Sequence, residues 1–409
     1  MAAHSAFRVF VCLILVTTLA GTCASAADWP QFRGRNGLGI GDTTGLPEVF
    51  GPRKNIAWKT ALPAGHSSPA LTENRIFLTA YEDDKLLTLC LQRESGRVLW
   101  RRQAPRPRRQ PFHSLHGPAT PSPATDGENV YVFFGDFGLL SYDADGEERW
   151  QVPLGPFNNR NGSASSPILA EGMVILICDQ DDGSSFMIAV DQQDGRLRWR
   201  VERPEFTRGF ITPGVYRPTN GQPQLVVPGS YQVVSYDLAT GEKLWWVRKI
   251  GWQVKCVPII VGGTIYVNAY GEGSGGAGST HELPTFEELL AENDANQDGK
   301  IALDEGRHPR LTGDWINADI DDDGFVREHD WKFYIARLES ENSLVAIRPN
   351  GRRGDLTETN VLWRYRKSLP NTPSPLLYKG IIYMVKDGGI FSTVDAATGK
   401  PAKVGRLGE

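Results

Sequence analysis

The sequence predicts an all-β fold, a β-propeller of four-stranded blades carrying one small helical insertion. Three observations lead to it. A Gly-x-x-x-Trp strand recurs along the chain. A step of small residues and proline recurs in phase with it. One repeat unit is far longer than the others, and its excess holds two oxygen-rich loops.

The tryptophan mark comes first. ESGRVLW ends at Trp100, ADGEERW at Trp150, QDGRLRW at Trp199 and ATGEKLW at Trp245, each with Gly four residues before Trp. Trp363 follows in NVLWRYR, and ATGKPAK is a weaker copy with Lys403 in the Trp place. The second mark opens each unit: Pro69, Pro123, Pro167, Pro213, Pro258 and Pro375 each follow a small or branched residue. From Pro to Trp the first five units measure 31, 27, 32, 32 and 105 residues. Within the third unit, SPILA, GMVILICDQ, SFMIAVDQ and GRLRWRVE read as four short strands. Tight Gly-containing turns separate such strands. Four strands at a period of about 45–50 residues is the mark of a propeller blade. The glycine supplies positive φ in the turn, and the tryptophan is read as a plug between blades.

Six full blades are counted. An orphan N-terminal strand, KNIAWKTAL (54–62), stands before the first. In propellers such a strand completes the last blade, which here would need three more strands after Lys403. Either the ring closes irregularly or the sequence is a shortened copy of a seven- or eight-bladed chain, and the second reading is favoured.

The expected organisation is a signal peptide at 1–26, propeller at 27–270, an insertion at 271–341 and propeller again at 342–409. VFVCLILVTTLA (9–20) is apolar but too short to span a bilayer. Ala24-Ser25-Ala26 then offers a cleavage site after Ala26. Thr22 before Cys23 is wrong for lipid attachment. The chain is therefore expected in the periplasm, cell envelope or medium, with no transmembrane segment. A net charge of −4 gives no footprint for nucleic acid. The basic run RRQAPRPRR (101–109) is read as a solvated loop, since Pro and Gln interrupt it. Cys90, Cys178 and Cys256 form neither a CxxC nor an adjacent pair and are read as buried free thiols.

The insertion lies between TIYVNAY (264–270) and LVAIRP (344–349), so it replaces a hairpin turn. A Gly/Ser-rich lead-in (271–284), expected to be flexible, precedes TFEELLAEN, a helix start with Thr285 and Glu288 placed as a capping box. DANQDGKIALDE then fits an EF-hand calcium loop. Asp294, Asn296 and Asp298 stand at positions 1, 3 and 5, Gly299 at 6, the Lys300 carbonyl at 7 and Glu305 at 12. The second loop has Asp319, Asp321, Asp323, Gly324, the Phe325 carbonyl and Asp330. Aspartate at position 12 reaches less far than glutamate, so this site is expected to be weaker for calcium or more tolerant of magnesium. Ile301 and Val326, both at position 8, should pair the loops. An exit helix with Trp331, Tyr334 and Leu338 on one face should follow.

These features together, with the opening DWPQFRGRNGLGIG and HSSPA, resemble the exported PQQ-binding-like β-propeller repeat proteins, among them the outer-membrane assembly factor of the BAM complex. The resemblance covers the mature chain from about Asp28 onward. In that family GRL is normally followed by a further blade. The resemblance implies envelope proteins, peptides or polysaccharide as partners. Quinone dehydrogenases of this fold hold their cofactor beneath an adjacent Cys-Cys pair, which this chain lacks, so bound PQQ is not expected.

Other candidates are weaker. His113 and His116 form an HxxH pair in a Pro- and Ser-rich loop. His66, His116, Arg208, Lys255 and Asn371 are expected to line a funnel at the channel mouth, where loops on a rigid scaffold commonly carry function. No GxSxG, Walker or HExxH motif is present. The favoured reading is a non-catalytic, calcium-binding scaffold of the cell envelope. A PQQ-dependent dehydrogenase-like enzyme is the alternative.

Overall fold

The computed structural model describes residues 29–271 and 283–408. The expected signal peptide and most of the Gly/Ser-rich lead-in lie outside the described residues. Six antiparallel sheets follow one another along the chain, over 70–104, 124–153, 168–202, 214–248, 259–365 and 376–406. Within each, four antiparallel strands pair in chain order, and the fourth sheet gains a fifth, parallel edge strand, Gly354–Asp355. The short first strands of the first three blades touch in turn, as do those of the fourth and fifth. The six expected blades are all present.

Burial follows position in the blade. Middle strands such as Val130–Phe134, Gly138–Tyr142 and Met173–Cys178 are buried at every residue, because the neighbouring blades cover both faces. Outer strands alternate: in Leu197–Glu202 Trp199 is buried while its neighbours reach solvent. Each outer hairpin carries a register shift just before its last strand, at Cys90/Leu91, Ser141/Tyr142, Ala189/Val190, Ser235/Tyr236, Ala346/Ile347 and Thr393/Val394. Such a bulge re-aims the side chain that follows. Across the strand from each tryptophan stands a small residue: Cys90, Ser141, Ala189, Ser235 or Ala346.

The turn glycine has a second role that the spacing alone does not disclose. It meets the tryptophan of the preceding blade. A Cβ on Gly146 would lie 2.8 Å from the Trp100 ring, one on Gly195 2.9 Å from Trp150, and one on Gly399 2.5 Å from Trp363. The indole N–H then donates to a carbonyl of the same turn: Trp100 to Ala144, Trp150 to Gln192, Trp199 to Leu238 and Trp363 to Ala396. Trp245 departs from this scheme because the fifth blade has a longer turn there. Its strand pairs in parallel with Gly354–Asp355, and its indole donates to Gln224 Oε1 at 2.9 Å.

The N-terminal segment departs from expectation. Residues 54–62 form no strand, and apart from one isolated bridge at Lys54 they enter no ladder. Trp58 nevertheless makes the inter-blade contact, stacking over Gly96 and donating to the Arg93 carbonyl at 2.9 Å. Upstream, the WPQFRG segment crosses the blades. Trp29 bridges to Leu71 in the first blade, and the Pro30 carbonyl accepts from Thr125 in the second. The Asn36 amide exchanges two bonds with Val215 in the fourth, and Arg33 donates to the Pro375 carbonyl at the sixth. Among the described residues, Cys90, Cys178 and Cys256 are buried and free. No helix among the described residues is long and apolar enough to cross a membrane.

The glycine–tryptophan contact can be isolated by a paired substitution. Gly195 and Gly172 share nearly the same backbone, φ +73° and +72°, but only Gly195 faces a ring. Gly172→Ala is expected to cost about 1 kcal/mol for the left-handed backbone. Gly195→Ala should cost about 1–3 kcal/mol more, from overpacking. Denaturant midpoints of the two variants measure the difference.

Candidate functional site

The insertion leaves the fifth blade after Thr264–Ala269 and returns at Ser343–Ile347, and Ala269 pairs with Ser343 at its base. Asn342 clamps this neck by exchanging two hydrogen bonds with the Gly271 backbone. Three helices follow: α1 (Phe286–Asn293), α2 (Pro309–Ala318) and α3 (Glu328–Glu339). Thr285 and Glu288 close the capping box on α1 in both directions. Ile301 and Val326 pair in a two-residue ladder between the loops. They join Leu289, Leu311, Trp331 and Tyr334 in a core of the insertion's own. Trp331 and Tyr334 stack at 5.1 Å, and Leu338 packs beside them.

Each loop turns its oxygens inward by the same device. The Asp294 carboxylate accepts from the N–H groups of Asp298 and Gly299, and Asp319 accepts from Asp323 and Gly324. Gly299 and Gly324 take φ +79° and +87° to make the turn. In the first loop Asn296 accepts from Asp298, Asp298 from Lys300, and Glu305 folds back to accept from Asn296 and Ala302. In the second, Asp330 accepts from Ile320 and Arg327, while Arg327 pairs with Asp323. The Lys300 ammonium sits 3.3 Å from the Phe325 ring centroid and ties the loops together. The Lys300 and Phe325 carbonyls, at position seven of each loop, are the backbone donors this spacing offers. Hard oxygen donors at these positions are the ligand set of calcium.

The second loop is the tighter one. Carboxylate oxygens of Asp319, Asp321 and Asp323 lie within 4.8 Å of one another, as do ligand atoms of Asp321, His329 and Asp330. No three acidic or histidine ligand atoms of the first loop come that close. Burial, reinforced by Asp330 and Asp323, pushes the Asp321 carboxyl up to about 6. Burial also pushes Asp330 up to about 7 against its backbone hydrogen bonds, with Asp319 and Asp323 adding repulsion. One oxygen of Asp321 is buried without a hydrogen-bond partner. Crowded, desolvated carboxylates of this kind fit a bound cation, which would supply the missing charge.

The insertion is docked on the propeller. Ile320 and Phe333 pack against Tyr231 of the fourth blade, with Trp252 and Ala336 at the edge. Arg208 lies buried beneath them. Its Nη1 donates to Asp181 Oδ1 at 2.5 Å and to the Ile320 carbonyl at 3.1 Å, and its guanidinium lies over Trp252. Arg160 faces Asp322 at 3.6 Å. Between α3 and the fourth blade lies a cleft of about 860 Å³, bordered by Tyr231, Gln232, Lys249, His329 and Phe333.

The expected funnel therefore divides. Arg208 is a docking residue under the insertion. Lys255 and Asn371 do meet, Nζ to Oδ1 at 2.7 Å. His66 is exposed and bonds through its backbone to Ala119. The His113 and His116 rings stack at 6.2 Å, and each uses its Nδ1 locally, with Leu115 and Thr120. Sequence reasoning missed His329, although its place between Glu328 and Asp330 in the loop was visible. It also missed Asp181, Arg160 and Tyr231, which no spacing rule connects to residue 320.

The repeat architecture now has a family match. A family model described as outer membrane protein assembly factor BamB, built on PQQ-like repeats, matches residues 51–184, 89–245 and 183–281, together more than half the chain. The chain belongs to this family. Among solved structures it is similar to BamB from Moraxella catarrhalis, at 12% identity, 85% coverage of this chain, 75% of that one and a TM-score of 0.50. That likeness supports the shared propeller fold of the BamB-type chain. It is also similar to the quinohemoprotein alcohol dehydrogenase from Comamonas testosteroni, at 12% identity, covering 93% and 73% of the two chains, with a TM-score of 0.48. A quinohemoprotein alcohol dehydrogenase from Pseudomonas putida HK5 scores 0.42 at 13% identity, covering 86% of this chain and 44% of that one. No curated protein sequence is significantly similar to the chain.

The raised carboxyls fix a sign for the metal-free insertion. An aspartate with a raised folded pKa weakens the fold wherever it is forced to ionise. The penalty is absent below about pH 4, the unfolded value, and complete above about 7. Without cation, the insertion should therefore melt at a higher temperature at pH 5 than at pH 7.5. Trp331 fluorescence or helical circular dichroism in chelator reads this, and added calcium should reverse the order at pH 7.5.

Proposed function

We propose that this protein is a non-catalytic scaffold of the cell envelope, a propeller whose loop face docks polypeptide partners and whose inserted loop pair binds calcium. The observation that carries the reading is the bond from Arg208 to the Ile320 carbonyl, inside the second loop. It makes a cation loop part of the propeller face rather than a tethered arm. The family name, an outer-membrane assembly factor, supports envelope location and protein partners. The cleft beside α3 is the place where a partner segment would meet both the insertion and the fourth blade.

Asp294, Asn296, Asp298, the Lys300 carbonyl and Glu305 would hold one ion. Asp319, Asp321, Asp323, the Phe325 carbonyl and Asp330 would hold the other. A cation that binds only the ordered loops stabilises them by an amount set by its concentration, about 2.7 kcal/mol at a hundredfold excess over Kd. Because the second loop is bonded to the propeller, binding and docking must affect each other by the same factor.

Calorimetric titration of the metal-stripped mature chain should give two calcium sites, one lost in Asp294→Ala and the other in Asp319→Ala. Arg208→Lys keeps a charge beside Asp181 but loses the planar fork. It should weaken the second site several-fold and leave the first unchanged. No heat at millimolar calcium would end the calcium reading. Envelope proteins retained by the chain in calcium and released by chelator would support the scaffold. Turnover of an alcohol with added quinone would instead favour the dehydrogenase.

A further inference from the structure

We propose that the second loop is a mixed oxygen–nitrogen site, in which His329 joins Asp321 and Asp330 to hold a divalent transition cation of the zinc type in preference to calcium. This rests on the reading of the insertion as a pair of cation loops. It concerns which ion the second one takes.

The geometry singles out three side chains. Ligand atoms of Asp321, His329 and Asp330 all lie within 4.8 Å of one another. His329 Nε2 stands 3.3 Å from Asp330 Oδ1, yet it makes no properly directed hydrogen bond. Asp321 Oδ1 makes none either, and both atoms are shut off from solvent. A buried carboxylate oxygen and a buried ring nitrogen without partners are costly groups. One cation between them satisfies both at once.

The donor set chooses the ion. Calcium asks for six to eight oxygens and a long bidentate carboxylate at position 12. This loop offers the shorter Asp330 there, with an imidazole beside it. Imidazole nitrogen with carboxylate oxygen suits zinc, at about 2.0–2.2 Å in a four-ligand shell. The first loop, from Asp294 to Glu305, contains no imidazole. The His329 ring stands edge-on to Phe333 on the same helix, at 6.5 Å and 88°. Orientation of a metal-binding imidazole by its surroundings is a recognised source of affinity. Asp321 belongs to both close groups of the loop, so a calcium-type arrangement on Asp319, Asp321 and Asp323 and a zinc-type arrangement on Asp321, His329 and Asp330 exclude each other.

The test uses the metal-stripped mature chain carrying Asp294→Ala, which silences the first loop, with His113→Gln and His116→Gln so that those rings take no metal. Zinc and calcium are titrated separately by calorimetry, and cobalt(II) serves as a spectroscopic probe. One zinc equivalent should bind more tightly than calcium. His329→Gln should weaken zinc about tenfold or more, change the visible cobalt band, and leave calcium within about twofold. Equal losses for zinc and calcium, or no change in either, would overturn the proposal. So would absence of zinc binding. Calcium binding by the first loop, measured in Asp319→Ala and in His329→Gln alone, reports the loop-pair reading separately and shows that the module has folded.

Discussion

The propeller depends on one contact made again and again, an indole laid over a glycine in the next blade. Each partner needs the other's chemistry. The glycine allows a left-handed turn and leaves room for the ring, and the ring buries its apolar area while its N–H satisfies a turn carbonyl. The bulge before each outer strand and the small residue opposite each tryptophan set the angle of approach. Because the middle strands are covered on both faces, an error in that angle would be felt across two blades. Where the fifth blade drops the glycine turn, a short parallel strand takes over the cover of Trp245.

The insertion brings a second kind of contact, in which charge is buried. Taking a guanidinium out of water is expensive, and Arg208 offsets that cost with Asp181, a loop carbonyl and an indole face. Breaking such a set would leave Asp181 buried and uncompensated, typically about 3–5 kcal/mol of damage. The same economy governs the second loop, where crowded carboxylates leave a buried oxygen unsatisfied. Docking and cation binding are thus linked through adjacent backbone: Ile320 gives its carbonyl to Arg208 and its N–H to Asp330.

Much of this architecture is legible in the sequence because repeats and loop spacings are local patterns. Six Pro-to-strand units give six blades. Asp294 to Glu305 and Asp319 to Asp330 give two inward-turned loops. Thr285 and Glu288 give the helix start. What the sequence leaves hidden is long-range. Nothing near Arg208 marks it as the partner of residue 320, so a basic residue at a blade end reads as a funnel residue. KNIAWKTAL has the composition of a strand and the tryptophan of one, yet it meets the first blade through side chains, Trp58 over Gly96 and Thr60 to the Gly96 carbonyl, and forms no ladder. His329 was within sight but was masked by a calcium template that assigns no role to its position.

The segment from Trp29 to Asn36 carries a consequence for assembly. These residues lie near the start of the chain, yet Arg33 bonds to Pro375, 342 residues further on, and Trp29 and Pro30 bond to the first two blades. During synthesis they emerge before any site they bind. Trp29 and Pro30 can meet the first two blades early, but Arg33 must wait until the sixth has been made. Contacts so distant in sequence are slow to close. The Arg33 contact can close only once the sixth blade exists, so this short segment ties the earliest-made part of the propeller to the latest-made.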